Sequence, residues 1–274
     1  MKIHGEEKYD RLRASLGRLG SVAVAFSGGA DSAFLLKVAH DVLGDHAIAV
    51  TAVSPTYPAE ELRQARRIAK DIGIRLLPVH TDELRDENFS SNRPDRCFFC
   101  KTGLFSLLRQ QANRLGIRHI AYGANADDTD DFRPGMKAAA RAHAKAPLLD
   151  AGLTKEEIRA ISRGLGLTTW DKPSSACLAS RIPYGTRITI KALRMIESGE
   201  ALLHTLGFRQ CRIRCYNDIA RIEVLPEDLH RLLDKSVQEK IVRQLKRSGF
   251  MYVTVDLEGY RTGSMNMVIR SSSC

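Results

Sequence analysis

The chain has 274 residues, of which 43% are hydrophobic and 27% are charged, and this composition is that of an ordinary globular protein. No apolar run approaches the length of a membrane span, and the first residues lack the apolar core of a signal peptide, so we expect a cytoplasmic protein without a membrane partner. The net charge of +10 suits an anionic ligand, whereas aromatic residues, at 6%, are few for a nucleic-acid surface, and no nucleic-acid partner is expected.

An apolar stretch at residues 22–26 runs directly into a glycine turn and then into a helical pattern. Adjacent glycines let backbone amides approach an anion, and a helix N-terminus adds orphan N–H groups and the positive end of its dipole. The turn resembles SGGxDS, the PP-loop of the ATP pyrophosphatases, which implies phosphate binding. The alternative is a tight strand-to-helix turn with an acid in the first helical turn. The ATP contacts predicted here are Ser27, Gly28, Gly29, Asp31 and Ser32.

Short apolar runs alternate with helical patterns along the first half of the chain. Strands are predicted at 22–26, 47–53, 74–79 and 119–122, and helices at 6–19, 33–39, 56–73 and 102–115. This alternation predicts an α/β fold with a doubly wound parallel sheet, which binds ligands outside the carboxyl ends of its strands. Helix capping and solvated loop positions are the alternative roles of the acids at that edge. Further ATP contacts are predicted at Ser54, Gly123, Asn125 and Asp128, and candidate Mg²⁺ contacts at Asp31, Asp127 and Asp128.

The middle of the chain combines an insertion with a well-marked helix start. Residues 129–150 are polar and rich in alanine, and we expect them to form a mobile flap or a short helix. Thr154, followed three residues later by Glu157, predicts a capping box at the start of the next helix.

Residues 170–186 combine polar, small and turn residues in no clear period, and they carry Cys177 between Lys172 and Arg181. Such a segment predicts a functional loop at a domain junction. The predicted division is a PP-loop ATP pyrophosphatase domain, a catalytic junction loop and a smaller C-terminal α+β domain, at residues 1–170, 171–187 and 188–274.

The C-terminal part contains a predicted hairpin with charged residues on one side. If residues 217 and 218 make a two-residue turn, Arg212 lies opposite Glu223, and Arg214 lies opposite Arg221. Three guanidinium groups and one carboxylate then share a face, which suits the binding of phosphate or carboxylate. The alternative is a solvated sheet face with a surface ion pair. Around the hairpin we predict a helix at 189–206, strands at 210–216, 219–225 and 251–257, and one broken helix or two at 227–247.

Three of the six cysteines lie in basic surroundings. Cys97 and Cys100 form a CxxC pair flanked by Arg96 and Lys101, and Cys177 lies in the second cationic segment. Neighbouring positive charge lowers the pKa of a thiol and makes the reactive thiolate more abundant. Three such thiolates suit an iron–sulfur cluster with one open iron. The alternative for the CxxC pair is two buried thiols at a helix start.

Three segments together resemble the LarE family of ATP-dependent sulfur transferases, which act in the synthesis of the nickel-pincer nucleotide cofactor. They are the PP-loop, residues 123–128 and above all the run KPSSACLASRIPYG at 172–185, and the resemblance covers nearly the whole chain. It implies a pyridinium-3,5-biscarboxylic acid mononucleotide as substrate. Its carboxylates are adenylylated with ATP and Mg²⁺ and then converted to thiocarboxylates. A homo-oligomer is also expected.

The resemblance also implies roles for single residues. Cys177 matches the family's sulfur-bearing cysteine. Some members sacrifice the sulfur of that cysteine and are left with dehydroalanine, whereas others relay sulfide through a [4Fe-4S] cluster on three cysteines. Cys97 and Cys100 match the cluster-dependent pattern. Substrate binding is expected from Arg181, Arg212 and Arg214, with Glu223 as a catalytic residue that orients them or accepts a proton.

Three other functions share parts of this pattern. A tRNA thiolation enzyme would have the PP-loop, the CxxC pair and the positive charge, but would bring an added RNA-binding domain or zinc ribbons. An amide-forming PP-loop synthetase would need an ammonia source and no reactive cysteines. A non-enzymatic nucleotide-binding regulator would not convert ATP to AMP and pyrophosphate.

Overall fold

A computed structural model describes residues 5–128, 134–173 and 176–261 of the chain. The chain forms two compact units. Unit 1 comprises Met1–Glu83 and Cys97–Ser175, and unit 2 comprises Leu84–Arg96 and Ala176–Cys274. The three-part domain division expected from the sequence stays a prediction. Within the described ranges, no helix is both long enough and apolar enough to cross a membrane.

Unit 1 is built on a four-stranded parallel sheet in the order β3-β2-β1-β4. Its strands are β1 (Val22–Ala25), β2 (Ala47–Val53), β3 (Leu76–His80) and β4 (His119–Tyr122). Helices occupy both faces of the sheet, as the alternating pattern predicts. They are α1 (Glu6–Leu19), α2 (Ala30–Leu43), α3 (Ala59–Ile72), α5 (Arg96–Arg114), α6 (Pro134–Arg141), α7 (Pro147–Asp150) and α8 (Lys155–Gly164).

The two faces of the sheet carry separate apolar cores, because side chains alternate along a strand. Val22 and Val24 of β1 pack into the core formed with α1, α2, α3 and α8. Ala23 points the other way, into the core that includes Leu104 and Leu108 of α5. A parallel sheet covered on both faces leaves its strand ends as the accessible edge, and the doubly wound prediction is confirmed.

Helix α5 begins at Arg96, whereas the sequence pattern places its start near Thr102. Pro94 lies just before it, and the Arg96 amide donates to the Arg93 carbonyl at 3.0 Å in the turn that leads into the helix. Proline at the second position of this turn presets the φ that the turn needs, a signal that the polar composition of the stretch hides. The helix start predicted at residue 102 was therefore wrong, and the CxxC pair lies within the first five residues of the helix.

The insertion at 129–150 contains α6 and α7, while residues 129–133 lie outside the described residues. Thr154 caps α8 as predicted, with both halves of the capping box formed with Glu157. This reciprocal pair satisfies orphan amides at the helix start and holds the connection after β4 in place.

Unit 2 contains a three-stranded sheet in the order β5-β6-β7, with β5 and β6 antiparallel and β6 and β7 parallel. Asn217 adopts a φ of 56° in the two-residue turn, and the hairpin register pairs Arg212 with Glu223 as predicted. A methyl group on Gly199 of α9 would stand 2.6 Å from Leu245 of α10, so glycine permits close helix packing. The elements are α4 (Glu87–Ser90), α9 (Ile190–Thr205), β5 (Cys211–Tyr216), β6 (Ile219–Val224), α10 (Lys235–Ser248) and β7 (Tyr252–Val255).

Candidate active site

The predicted PP-loop, residues 27–32, joins β1 to α2, and we call it the phosphate loop. Hydrogen bonds of its own serines stabilise it. Gly28 has a φ of +72°, a left-handed conformation that favours glycine, and Gly29 is the N-cap residue of α2. The hydroxyls of Ser27 and Ser32 lie 3.1 Å apart, and that of Ser32 also donates to the Gly29 carbonyl at 3.1 Å. The loop is therefore a preformed turn at a helix N-terminus, which is an anion-binding geometry.

Two side chains from other parts of unit 1 contact the loop carbonyls. The Tyr57 hydroxyl donates to the Ser27 carbonyl at 2.6 Å. The Lys172 ammonium donates to the Gly28 carbonyl at 3.0 Å and to Glu61 at 2.6 Å. No sequence motif marks these three residues as contacts of the loop. No local spacing links them to it, because they approach it only through the folding of unit 1.

The end of β4 lies against the start of α2. A methyl group on Gly123 would stand 3.0 Å from the Ser32 amide nitrogen, so this position needs glycine. The Asn125 side-chain amide donates to Asp31 at 3.1 Å, and the Asn125 backbone amide donates to Asp128 at 3.1 Å. The structure thus links Asp31, Asn125 and Asp128, three predicted ATP contacts, at the carboxyl edge of the sheet.

The other two predicted residues at this edge have structural partners. Asp127 accepts from the Lys155 amide at 2.9 Å, so its carboxylate bonds an orphan N–H of α8. The Ser54 hydroxyl donates to Glu83 at 2.7 Å, and the Thr56 hydroxyl donates to the same carboxylate oxygen at 2.5 Å. Contacts of Ser54 with ATP and of Asp127 with Mg²⁺ stay predictions.

Arg212, Arg214 and Glu223 of the charged hairpin face are buried and Arg221 is partly exposed, so the alternative of a solvated face is wrong. Glu223 is fully buried and binds Arg214 at 2.8 Å and Arg221 at 2.9 Å, one arginine on each carboxylate oxygen. Arg212 is 7% exposed, and its guanidinium lies 5.2 Å from the ring centre of Tyr260. Burial lowers the pKa of Arg212, with Arg181 adding a like charge. We call residues 212, 214, 221 and 223 the arginine face.

Arg181 is directed into unit 2 and holds the segment around Cys177. It is 1% exposed and makes a bidentate ion pair with Glu200, with both N–O distances 2.9 Å. Its remaining nitrogen donates to the carbonyls of Ala176, at 2.7 Å, and Cys177, at 3.1 Å. Glu200 also accepts from the Ile213 amide at 3.0 Å. These contacts favour a positioning role, and substrate binding by Arg181 stays a prediction.

The cysteines fall into two chemical classes. Cys97 is exposed and Cys100 is partly exposed, so the alternative of two buried thiols is wrong. Their spacing of three residues places them on one side of α5, near its start. Cys211 and Cys215 are buried in unit 2, and burial raises their pKa values to about 12 and about 11. A thiol with so high a pKa is a poor nucleophile at neutral pH.

Cys177 belongs to unit 2, whereas Cys97 and Cys100 belong to unit 1. Cys177 is partly exposed and precedes the 3-10 turn Leu178–Arg181. Among the residues that the structure describes, no group of three or more His, Cys, Asp or Glu is placed to hold a metal ion. The iron–sulfur cluster on Cys97, Cys100 and Cys177 therefore stays a prediction.

Two relatives match this chain over more than nine tenths of its length. It is 42% identical over 264 residues to the uncharacterized protein slr1717 of Synechocystis sp., a match that covers 96% of this chain and 98% of the relative. It is 41% identical over 257 residues to the pyridinium-3,5-bisthiocarboxylic acid mononucleotide synthase of Lactiplantibacillus plantarum, which covers 93% of this chain and 92% of that synthase. This chain belongs to the LarE family. No family model matches it.

A more distant relative supports the fold of this LarE-family chain. The tRNA-specific 2-thiouridylase MnmA of Desulforamulus reducens is 30% identical over 196 residues, which covers 56% of this chain and 53% of MnmA. The names of both the synthase and the thiouridylase describe enzymes whose products contain sulfur. This LarE-family protein is thus related to sulfur-transferring enzymes.

Proposed function

We propose that this protein is an ATP-dependent sulfurtransferase that adenylylates the carboxylates of pyridinium-3,5-biscarboxylic acid mononucleotide and converts them to thiocarboxylates. One observation carries the proposal. The same chain contains a phosphate loop whose backbone amides can bind an anion and a largely buried arginine face. The 41% identity to a synthase of the corresponding bisthiocarboxylic acid mononucleotide supports the choice of substrate.

The phosphate loop would serve the activation step. A carboxylate is a poor electrophile because its leaving group would be oxide. When its oxygen attacks the α-phosphate of ATP, pyrophosphate leaves and the resulting acyl adenylate carries AMP as a good leaving group. The amides of the loop and the N-terminus of α2 would stabilise the charge that develops on pyrophosphate.

Asp31 and Asp128 suit a magnesium ion at this edge. Their carboxylates are hard oxygen ligands, and both are hydrogen-bonded to Asn125, which holds them at the ends of neighbouring strands. Magnesium would supply charge neutralisation on the phosphate oxygens. Asn125 would then keep the two carboxylates oriented toward the nucleotide.

The arginine face would hold the substrate's phosphate or second carboxylate. Arg212 and Arg214 offer planar donors that match such anions. Glu223 would orient Arg214 through its 2.8 Å contact, and its placement between two arginines supports this role more directly than proton transfer does. The pair of Arg181 and Glu200 would position the backbone of Cys177.

Cys177 would deliver sulfur. In the sacrificial version its own sulfur would attack the activated carbonyl carbon, and AMP would leave. In the sacrificial version, loss of the Cα proton and cleavage of the Cβ–S bond release the thiocarboxylate and leave dehydroalanine. In the cluster version, three thiolates are the right donor type, and a [4Fe-4S] cluster held by Cys97, Cys100 and Cys177 would supply an open iron site for sulfide.

The experiment that tests the proposal separates activation from sulfur delivery. Cys177→Ala should still form AMP and pyrophosphate with the pyridinium dicarboxylate, because the phosphate loop is unchanged, but it should yield no thiocarboxylate. Cys215→Ala, which removes a buried thiol of the same unit, is the control and should retain sulfur transfer. Thiocarboxylate from Cys177→Ala would contradict both versions of the mechanism.

Cys97→Ala and Cys100→Ala separate the two versions. If the cluster is present, each variant should lose bound iron and sulfur transfer together. If Cys177 is sacrificed, both variants should turn over once, and the protein mass should fall by roughly 34 Da, the mass of H₂S. Iron analysis after anaerobic purification and intact-protein mass spectrometry supply the two measurements.

A second candidate function, tRNA thiolation, is favoured by the similarity to MnmA, although the match covers only 53% of that enzyme. The net charge of +10 would suit an RNA partner. Pyrophosphate release that depends on added tRNA, and not on the pyridinium mononucleotide, would support this candidate over the first.

A further inference from the structure

The carbonyl groups of the phosphate loop are held by two side chains that are distant in sequence. Tyr57, from the segment before α3, binds the Ser27 carbonyl, and Lys172, from the segment after α8, binds the Gly28 carbonyl. All of these residues belong to unit 1. The contacts therefore involve two successive peptide groups of one loop.

A trans peptide group is planar, and its C=O and N–H bonds point in opposite directions. No cis peptide occurs among the described residues. A side chain that fixes the Ser27 carbonyl therefore also fixes the direction of the Gly28 N–H. In the same way, the bond from Lys172 to the Gly28 carbonyl directs the Gly29 N–H away from the lysine.

Both donors are themselves held in place. Burial, with the neighbouring Glu61 carboxylate adding a smaller effect, raises the pKa of Tyr57, so its hydroxyl keeps its proton. The side chains of Lys172 and Glu61 are each 15% exposed and form an ion pair at 2.6 Å. A methyl group on Gly28 would stand 3.6 Å from the Tyr57 hydroxyl, which shows how closely the tyrosine covers this side of the loop.

We propose that Tyr57 and Lys172 are positioning residues of the phosphate loop, which direct the amides of Gly28 and Gly29 toward the anion by holding the carbonyls on the opposite side. This inference rests on the proposed binding of ATP phosphates by the loop, but it does not depend on sulfur transfer. Lys172 also lies five residues before Cys177 in the sequence, so it anchors the start of that segment in unit 1.

The test uses pyrophosphate alone as the probe, measured by calorimetry on the full chain, together with ATP kinetics. Tyr57→Phe removes only the hydroxyl and should weaken pyrophosphate binding about 2- to 10-fold, the range for one neutral hydrogen bond. Lys172→Met removes a charged donor and should weaken binding about 10-fold or more. In steady-state kinetics the change should appear in the KM for ATP more than in kcat.

Lys8→Met is the matched control, because it removes an ion pair with Glu157 in the same unit without touching the loop. It should bind pyrophosphate as the unchanged protein does. Since the two bonds hold adjacent peptide groups and both side chains interact with Glu61, the fold-change of the double variant should differ from the product of the two single fold-changes. If Lys172→Met fails to fold, Tyr57→Phe alone still tests the inference.

The inference is overturned if the natural protein binds pyrophosphate and both variants bind it equally well. Failure of the natural protein to bind pyrophosphate or ATP would overturn the proposed function and this inference together. Normal pyrophosphate binding without thiocarboxylate formation would contradict the sulfur-transfer proposal only, and the comparison between variants would still decide the role of Tyr57 and Lys172.

Discussion

The phosphate loop of unit 1 and the arginine face of unit 2 are both suited to anions, but they are built differently. The loop uses backbone amides beside glycines, and its small side chains bond to one another. The face uses guanidinium groups, two of which share a fully buried carboxylate. Losing one member of a buried charged set leaves another charge uncompensated, whereas the one carboxylate of the loop, Asp31, is only partly buried. The two regions should therefore respond very differently to substitution.

The largest expected effect is in the arginine face. Glu223→Ala leaves Arg214, itself 5% exposed, without its carboxylate, so we expect the free energy of unfolding to fall by about 3–5 kcal/mol. Urea denaturation measures the change. Glu258→Ala removes an exposed partner of Arg261 and should cost less than about 1 kcal/mol. Equal losses from the two variants would show that burial does not raise the cost of removing a charged partner.

The next largest effect on stability is expected at Gly123, which packs closely beside the phosphate loop. Gly123→Ala places a methyl group 3.0 Å from the Ser32 amide and should destabilise unit 1 by about 1–3 kcal/mol. Gly103→Ala adds the same methyl group where nothing lies within 4 Å, in α5, and should stabilise by about 0.5–1 kcal/mol. Thermal unfolding of both variants tests whether the changes have opposite signs.

A smaller change in stability is expected at the loop itself. Asp31→Asn removes an acid from the first turn of α2, which costs about 0.3–1 kcal/mol, yet it should abolish AMP formation if Asp31 contacts Mg²⁺. Asp10 is an exposed residue of α1. Asp10→Asn is therefore the control and should leave AMP formation unchanged. Undiminished AMP and pyrophosphate from Asp31→Asn would remove this carboxylate from the proposed site.

The smallest effect at neutral pH concerns Cys211. Burial raises its pKa from 9.0 to about 12, so the folded protein keeps the thiol protonated where the unfolded chain would lose the proton. The stability contributed by this thiol is complete below pH 9 and is lost as the pH rises toward 12. Denaturation midpoints measured across this range should fall less steeply in Cys211→Ala. Identical slopes would show that the thiol does not contribute.

Several elements follow from local sequence patterns alone. The two-residue turn at Asn217 predicts a hairpin register that pairs Arg212 with Glu223, because side-chain alternation and turn length leave no other pairing. The capping box at Thr154 is equally local. The start of α5 was missed because Pro94, the signal for it, stands within a polar stretch that resembles a loop.

Local patterns specify the strands, the glycine turn, the register of the hairpin and the family resemblance, because each depends on residues that are near one another or on a motif. Tertiary packing buries most of the arginine face, pairs Arg181 with Glu200, and brings Tyr57 and Lys172 to the phosphate loop. Burial and long-range hydrogen bonds depend on which elements cover a surface. Local periodicity specifies the face of an element but not what packs against it.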